Sequence, residues 1–118
     1  MKLIEAEGMC KSFMQRFGIY DYKFQWMQKR KTFDMAGYCS WRKKIISLQP
    51  TFVECNYPFI VKQTILHEIA HALRPKHHHN KFWKRTATEL GCMQSKDCST
   101  LRCYGKEVKK KATSPEVA

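Results

Sequence analysis

The sequence predicts an α+β fold, with an N-terminal helix, a small three-stranded antiparallel sheet and then two further helices. Three segments have apolar residues at helical spacing, and the stretch between the first two alternates apolar and polar residues, as strands do. The predicted strands follow one another with no helix between them, which favours antiparallel neighbours. The 118 residues suffice for one domain with a modest core.

The first helix is predicted over residues 3–17, because Ala6, Cys10 and Phe13 fall on one face and Gly18 is a typical terminating residue. The next segments are shorter and have the alternation of strands, most clearly where aromatic residues alternate with polar ones. The three strands are predicted at residues 22–26, 36–41 and 44–48.

The second helix is the longest predicted element. Tyr57-Pro58 opens it, since proline is favoured at a first helical position, and Asn56 is a plausible N-cap. Arg74 is its predicted end, because the residue before a proline is disfavoured in the α region. An apolar stripe faces the core and consists of Val61, Ile65, Ile69, Ala72 and Leu73.

An H-E-x-x-H motif lies late in this helix. His67 and His71 are one turn apart and share a face, so they can supply two imidazole ligands to one metal ion. Glu68 lies beside them, where its carboxylate can take a proton from a water molecule. Zinc is the expected ion, since catalytic zinc has three protein ligands and one open position.

A third ligand is expected from the following loop, where His77, His78 and His79 are consecutive. His79 is preferred because it precedes Asn80, the expected N-cap of the third helix, and an anchored residue loses less entropy when it binds a metal. The other two histidines stay open as alternatives. The third helix ends at a glycine, and its apolar stripe consists of Phe82, Trp83, Thr86, Ala87 and Leu90.

These residues resemble a known family. The segments 67–73 and 79–84, joined by a Pro- and His-containing loop, are similar to the SprT-like zinc metalloprotease domain, which includes the catalytic part of the Spartan proteases. Trp83 matches the aromatic residue that follows the family's third histidine by four positions. Residues 45–50 resemble the strand before its active-site helix, and the whole resemblance spans roughly residues 3–91.

The resemblance implies a zincin-like minimal domain with one catalytic Zn²⁺ and the activity of an endopeptidase. Its zinc ligands are expected to be His67, His71 and His79, and its catalytic residue Glu68. Spartan-type members degrade proteins that are crosslinked to DNA, which implies a role in DNA–protein crosslink repair. In the expected mechanism zinc polarises the scissile carbonyl, and Glu68 moves a proton from water to the leaving amine.

The peptide substrate is expected to add to a sheet edge, for which Ile45 to Leu48 is the candidate strand. Such pairing gives main-chain affinity with little side-chain selectivity. The oxyanion-stabilising residue is not identified by the sequence. Metal binding is expected to weaken at acid pH, because protonated histidines cannot ligate.

Basic residues outnumber acidic ones by 22 to 10, and the resulting charge of +12 favours nucleic acid as a partner. Two basic clusters lie near aromatic residues, a combination that suits single-stranded DNA. The alternative is that the aromatic rings belong to the core and the lysines to a solvated face. The candidate contacts are Lys29, Arg30, Lys31, Trp41, Arg42, Lys43 and Lys44.

Residues 1–92 are predicted to form the protease domain, and residues 93–118 a basic, partly flexible C-terminal segment. The sequence has no membrane-span pattern and no signal-peptide pattern, so an intracellular monomer with reduced cysteines is expected, cytoplasmic or associated with nucleoid or nucleus. Whether Cys92, Cys98 and Cys103 bind a second metal stays open, since they lack the paired spacing of structural zinc ligands.

Two other functions are compatible with the sequence. One is a non-catalytic nucleic-acid-binding module that zinc only stabilises, which predicts four protein ligands and no open coordination position. The other is an intracellular peptidase that ignores DNA, which predicts activity that is insensitive to salt.

Overall fold

Four helices and three strands form within residues 1–92, the part of the chain that the computed structural model describes. The α+β class is therefore confirmed. The predicted C-terminal segment, with Cys98 and Cys103, lies outside the described residues. The elements are α1 (Leu3–Arg16), β1 (Lys23–Phe24), β2 (Gly37–Ser40), β3 (Ile45–Leu48), α2 (Pro50–Glu54), α3 (Pro58–Leu73) and α4 (Lys81–Leu90).

The sheet has the strand order β1-β3-β2 and is mixed. Strand β2 pairs with β3 in antiparallel register, with Gly37 opposite Leu48, whereas β1 pairs with β3 in parallel. The backbone N–H groups of Lys23, Gln25 and Met27 donate to β3-side carbonyls at 2.8–3.0 Å. The prediction of a fully antiparallel sheet is thus wrong for β1. The chain between β1 and β2 places β2 on the opposite side of β3 from β1. The alternation of apolar and polar residues does not determine which strands pair or in which direction.

Helix α3 is buried on two sides, which explains why its core stripe is so apolar. On one side Val61, Ile65 and Ile69 pack in a cluster with α1 and with Ile46 and Leu48 of the sheet. On the other side it packs against α4, in a smaller cluster of Leu66, Ala70, Trp83, Ala87 and Cys92. The helix that carries H-E-x-x-H is therefore held rigidly between the sheet and α4.

Two local predictions are wrong, and one helix was not predicted. Helix α2 was not predicted; it begins at Pro50, and the Gln49 side chain caps it by accepting from the Thr51 N–H at 3.4 Å. Asn56 does not cap α3, because its side-chain amide donates to the Phe52 carbonyl at 2.8 Å and Tyr57 takes the N-cap position. Phe82 is 46% exposed and not part of the core stripe of α4.

Cys10 and Cys39 are free thiols, whereas Cys55 is disulfide-bonded. The expectation of reduced cysteines is therefore wrong for Cys55. Among the described helices, none combines the length and the apolar character that crossing a bilayer requires.

Candidate metal centre

Three imidazole nitrogens converge at the C-terminal end of α3. The Nε2 atom of His71 lies 3.3 Å from that of His67 and 3.0 Å from that of His79, and the His67 and His79 atoms are 3.1 Å apart. His67 is buried, His71 is half-buried and His79 is exposed. The triad thus has one side against the protein core and one side toward solvent.

The loop between α3 and α4 turns the third histidine back toward the helix. Lys76 and His79 both have left-handed backbones, with φ of 71° and 59°, which reverse the chain within a few residues. Directly after His79, the Asn80 carboxamide oxygen accepts from the N–H groups of Phe82 and Trp83 at 3.0 and 3.1 Å. This N-cap, which the sequence predicted, fixes the start of α4 and with it the position of His79.

The buried Trp83 side chain packs against all three histidines of the triad. Its ring centroid lies 4.7 Å from that of His67, 5.0 Å from that of His71 and 4.6 Å from that of His79. The side chain is 1% exposed and packs between α3 and α4. Because one rigid indole touches all three imidazoles, their orientations are set before any metal binds.

The nitrogen triangle fits a divalent metal ion. Each ring nitrogen is either a donor or an acceptor, so three that face one another cannot all be satisfied by hydrogen bonds. Nitrogens bound to tetrahedral zinc lie about 3.3–3.4 Å apart, close to the edges of this triangle. Burial, and then the neighbouring His67 and His79, lower the pKa of His71 to about 3, which favours its neutral, ligating form. Within residues 1–92 no further Cys, Asp or Glu joins the group.

The other two loop histidines line the cleft without joining the triad. The Nδ1 atom of His77 lies 2.8 Å from the side-chain amide nitrogen of Asn80, so His77 helps to order the loop. His78 is exposed.

Glu68 is buried beside His67, with 7% of its surface exposed. Burial raises the pKa of its carboxyl to about 7, against a smaller lowering by His67. Gly37 of β2 permits this close packing: a Cβ atom there would lie 2.6 Å from the Ser47 carbonyl oxygen and 3.7 Å from Cγ of Glu68. The carboxyl is therefore poised to hold or release a proton near neutral pH.

A cleft of about 320 Å³ opens over the triad and Glu68. Strand β2 forms one wall of the cleft and is an edge strand. Strand β3 lies in the centre of the sheet, so the prediction of Ile45 to Leu48 as the edge is wrong.

Sequence reasoning also missed several residues that line the cleft. Arg74 directly follows the end of α3, seven positions after His67, and was predictable from this spacing; the loop residues had no such signal. The missed residues are Asp34, Met35, Ala36, Gly37, Tyr38, Cys39, Thr64, Arg74 and Lys76.

Of the predicted nucleic-acid contacts, Trp41 is the one that lines the cleft among the described residues. The Arg42 guanidinium carbon and the Lys76 ammonium lie 5.3 and 5.6 Å from its ring centroid. Lys29 and Lys44 form ion pairs with Glu54 and Asp21, at 2.7 and 3.3 Å. The remaining predicted contacts, which are all exposed, are Arg30, Lys31, Arg42 and Lys43.

A helix that presents two histidines beneath an edge strand, with a third histidine following it, defines a metallopeptidase-like, zincin-type fold. The model of the SprT-like family matches residues 7–110, and the chain belongs to this family. Its fold is similar to that of the metallopeptidase zymogen abylysin of Pyrococcus abyssi, known from a crystal structure. The TM-score is 0.56 and the identity 17%, over 71% of this chain and 77% of that one. No curated protein matches the chain in sequence.

Proposed function

We propose that this protein is a zinc-dependent endopeptidase that acts on DNA-associated proteins, with His67, His71 and His79 as zinc ligands and Glu68 as the catalytic residue. The observation that carries the proposal is the convergence of three Nε2 atoms, 3.0–3.3 Å apart, beside a buried carboxyl and under an open cleft. Membership of the SprT-like family supports a metalloprotease-type function.

Zinc, when bound, supplies a Lewis acid that polarises a carbonyl oxygen and makes a water proton more acidic. Glu68 does the proton transfer. Its carboxylate accepts a proton from a water molecule in the cleft, and the resulting carboxylic acid donates that proton to the leaving amine. In the metal-free site burial raises the pKa of the Glu68 carboxyl to about 7, and the positive charge of a bound zinc ion would lower it toward the carboxylate form that accepts the proton.

Strand β2 positions the substrate. Its outer edge is unpaired within the described sheet and borders the cleft, so an extended peptide can continue the ladder there. The backbone of Gly37 to Ser40 would hold the scissile bond over the triad largely independently of side chains.

Single-stranded DNA is the proposed second partner, and degradation of DNA–protein crosslinks inside the cell is the proposed role. The net charge of +12 and the exposed Arg42 and Lys43 beside Trp41 support this contact. The protein is proposed to act as a monomer. Main-chain pairing with β2 discriminates little between substrate sequences. DNA would supply the selectivity for substrate proteins by bringing DNA-bound proteins to the cleft.

The main alternative function is that of a non-catalytic nucleic-acid-binding module, in which zinc only stabilises the fold. The cleft over the triad, with a buried carboxyl at its base, favours the peptidase, because a structural site needs neither feature. A peptidase that ignores DNA is the second rival. It differs in having activity that DNA does not stimulate and that salt does not change.

Glu68→Gln is the substitution that tests the proposal. The zinc-loaded wild type is expected to cleave itself or a DNA-bound basic protein when single-stranded DNA is added. The variant is expected to retain zinc but to lose about 10²–10⁴-fold in rate, because the amide cannot accept the proton. Equal cleavage by the variant would remove Glu68 from the mechanism. Zinc binding without cleavage by the wild type would support the module.

A further inference from the structure

The two ends of the cleft carry opposite charge. Asp34 and Met35 line it just before the beginning of β2, whereas Lys76 lines it beside Trp41, which directly follows the end of β2. Arg74, two residues before Lys76, also lines the cleft. Glu68 is the other acidic residue of the lining, and it lies buried at the base. A peptide in the cleft therefore meets an acidic group at one end and basic groups at the other.

The basic end is built from two loops. The Lys76 ammonium lies 5.6 Å from the Trp41 ring centroid, and this contact joins the loop after α3 to the turn after β2. Arg74 is held by a 2.8 Å hydrogen bond from its Nε to the hydroxyl of Thr86, which leaves the two Nη groups as donors. Within residues 1–92 neither cation takes part in an ion pair.

The acidic end is separated from the basic end by the length of β2. Asp34 is exposed and forms no ion pair among the described residues. Met35 beside it is 48% exposed, so this end of the cleft is open to solvent. The three steps from Gly37 to Ser40 span about 10 Å in an extended strand, so substrate residues at least three positions apart can reach the two ends.

We propose that the cleft selects peptide segments by the order of their charges, with an acidic residue at the Trp41 end and a basic residue at the Asp34 end. This inference rests on the proposed function and adds a substrate preference to it. Exposed ion pairs contribute up to about 1 kcal/mol each, which corresponds to a change of about fivefold in Kd for each pair.

The test uses zinc-loaded Glu68→Gln, which is expected to bind peptides without cleaving them. Two fluorescent peptides of identical composition carry Glu and Lys at opposite ends of an uncharged spacer, in the two possible orders. At low salt their Kd values, measured by anisotropy, are expected to differ by at least about threefold. Because both peptides have the same net charge, the overall +12 of the protein cannot produce this difference.

A charge exchange provides the decisive variant. Adding Asp34→Lys and Lys76→Glu leaves the net charge unchanged and is expected to invert the preference. The matched control, Lys62→Glu with Glu89→Lys, exchanges exposed charges on α3 and α4 that do not line the cleft, and it is expected to keep the original preference. Equal Kd values for both orders, absence of binding, or a preference that the Asp34 and Lys76 exchange leaves intact would overturn the inference.

The inference and the proposed function can fail separately. If the wild type cleaves both peptides at the same rate, the proposed peptidase function is supported and the proposed preference for one order of charges is refuted. If Glu68→Gln binds one order better but the wild type cleaves neither peptide even with single-stranded DNA present, the charge-selective cleft is supported and the peptidase proposal is refuted.

Discussion

Folding removes the carboxyl group of Glu68 from water. The nearest residues in sequence that can carry a positive charge are His67 and His71. Burial of this kind costs free energy whenever the group is ionised, which is why its pKa rises to about 7. At the scale of single residues, burial of Glu68 thus costs stability near neutral pH, and carboxyl groups with strongly shifted pKa values are typical of functional sites.

This trade predicts a pH-dependent stability of the metal-free protein. Because the folded state binds the Glu68 proton more tightly than the unfolded state, the stabilisation present below pH 4.5 is lost as the pH rises from 4.5 to 7. The loss amounts to about 3 kcal/mol. Urea unfolding measures the free energy of unfolding of both proteins. Between pH 4.5 and 7 this free energy is expected to fall by about 3 kcal/mol more in the wild type than in Glu68→Gln.

The comparison with Glu68→Gln matters because His71 acts in the opposite direction. Its lowered pKa, about 3, means that acid destabilises the folded state, and this contribution is common to both proteins. A difference between the two proteins that does not change with pH would show that Glu68 ionises as an ordinary exposed carboxyl.

Helix α3 and the start of α4 are the elements that the sequence predicts best. The apolar stripe of α3, the Pro58 start, the Asn80 cap and the Gly91 terminus are all local signals, and the structure contains each of them. The sheet is different. A strand of two to four residues carries little periodicity, and its partner lies far along the chain, so neither the parallel β1–β3 pairing nor the edge position of β2 is encoded locally.

Asn56 illustrates how a local signal can mislead. It has the side chain of a good N-cap and lies just before Tyr57-Pro58, yet its amide donates to Phe52 at the end of α2. The unpredicted helix α2 supplies this competing acceptor, and that helix is too short to have a detectable period.

Gly37 is where β2, β3 and Glu68 approach most closely, so its replacement is predicted to disturb the edge strand. In Gly37→Ala the new Cβ would lie 2.6 Å from the backbone oxygen of Ser47, which cannot move without breaking the ladder. We expect the free energy of unfolding of the metal-free protein to fall by about 1–3 kcal/mol. Peptidase activity should fall as well, because β2 would shift away from Glu68.

The control is Gly8→Ala in α1, where a Cβ meets nothing within 4 Å. This substitution is expected to stabilise the protein by about 0.5–1 kcal/mol, since alanine is the better helix former. A Gly37→Ala variant as stable as the wild type would show that the edge strand has more freedom than its contacts indicate.

At the scale of the whole molecule the excess of basic residues is unevenly compensated. Lys29 and Lys44 are paired with Glu54 and Asp21, whereas Arg42 and Lys43 have no acidic partner within residues 1–92. Composition alone could predict an affinity for polyanions, but it could not show which cations the fold leaves available.

Two double variants of equal net charge test this distinction on single-stranded DNA. Arg42→Ala with Lys43→Ala is expected to reduce the slope of log K against log salt by about 1.4, because each phosphate that is no longer neutralised lowers the slope by about 0.7. Lys29→Ala with Lys44→Ala should change the slope by less than half as much, because these lysines are held by carboxylates. Identical slopes for the two variants would mean that DNA senses only the net charge.

Metal content is the most direct test of the account, because every step of the proposed function requires that three imidazoles bind one ion. After equilibration with zinc and dialysis, elemental analysis is expected to find one zinc per chain in the wild type and in His78→Ala and His77→Ala. His79→Ala is expected to retain little or none, since its Nε2 lies 3.0 and 3.1 Å from the other two. A wild type without zinc, or His79→Ala with a full equivalent, would contradict the account.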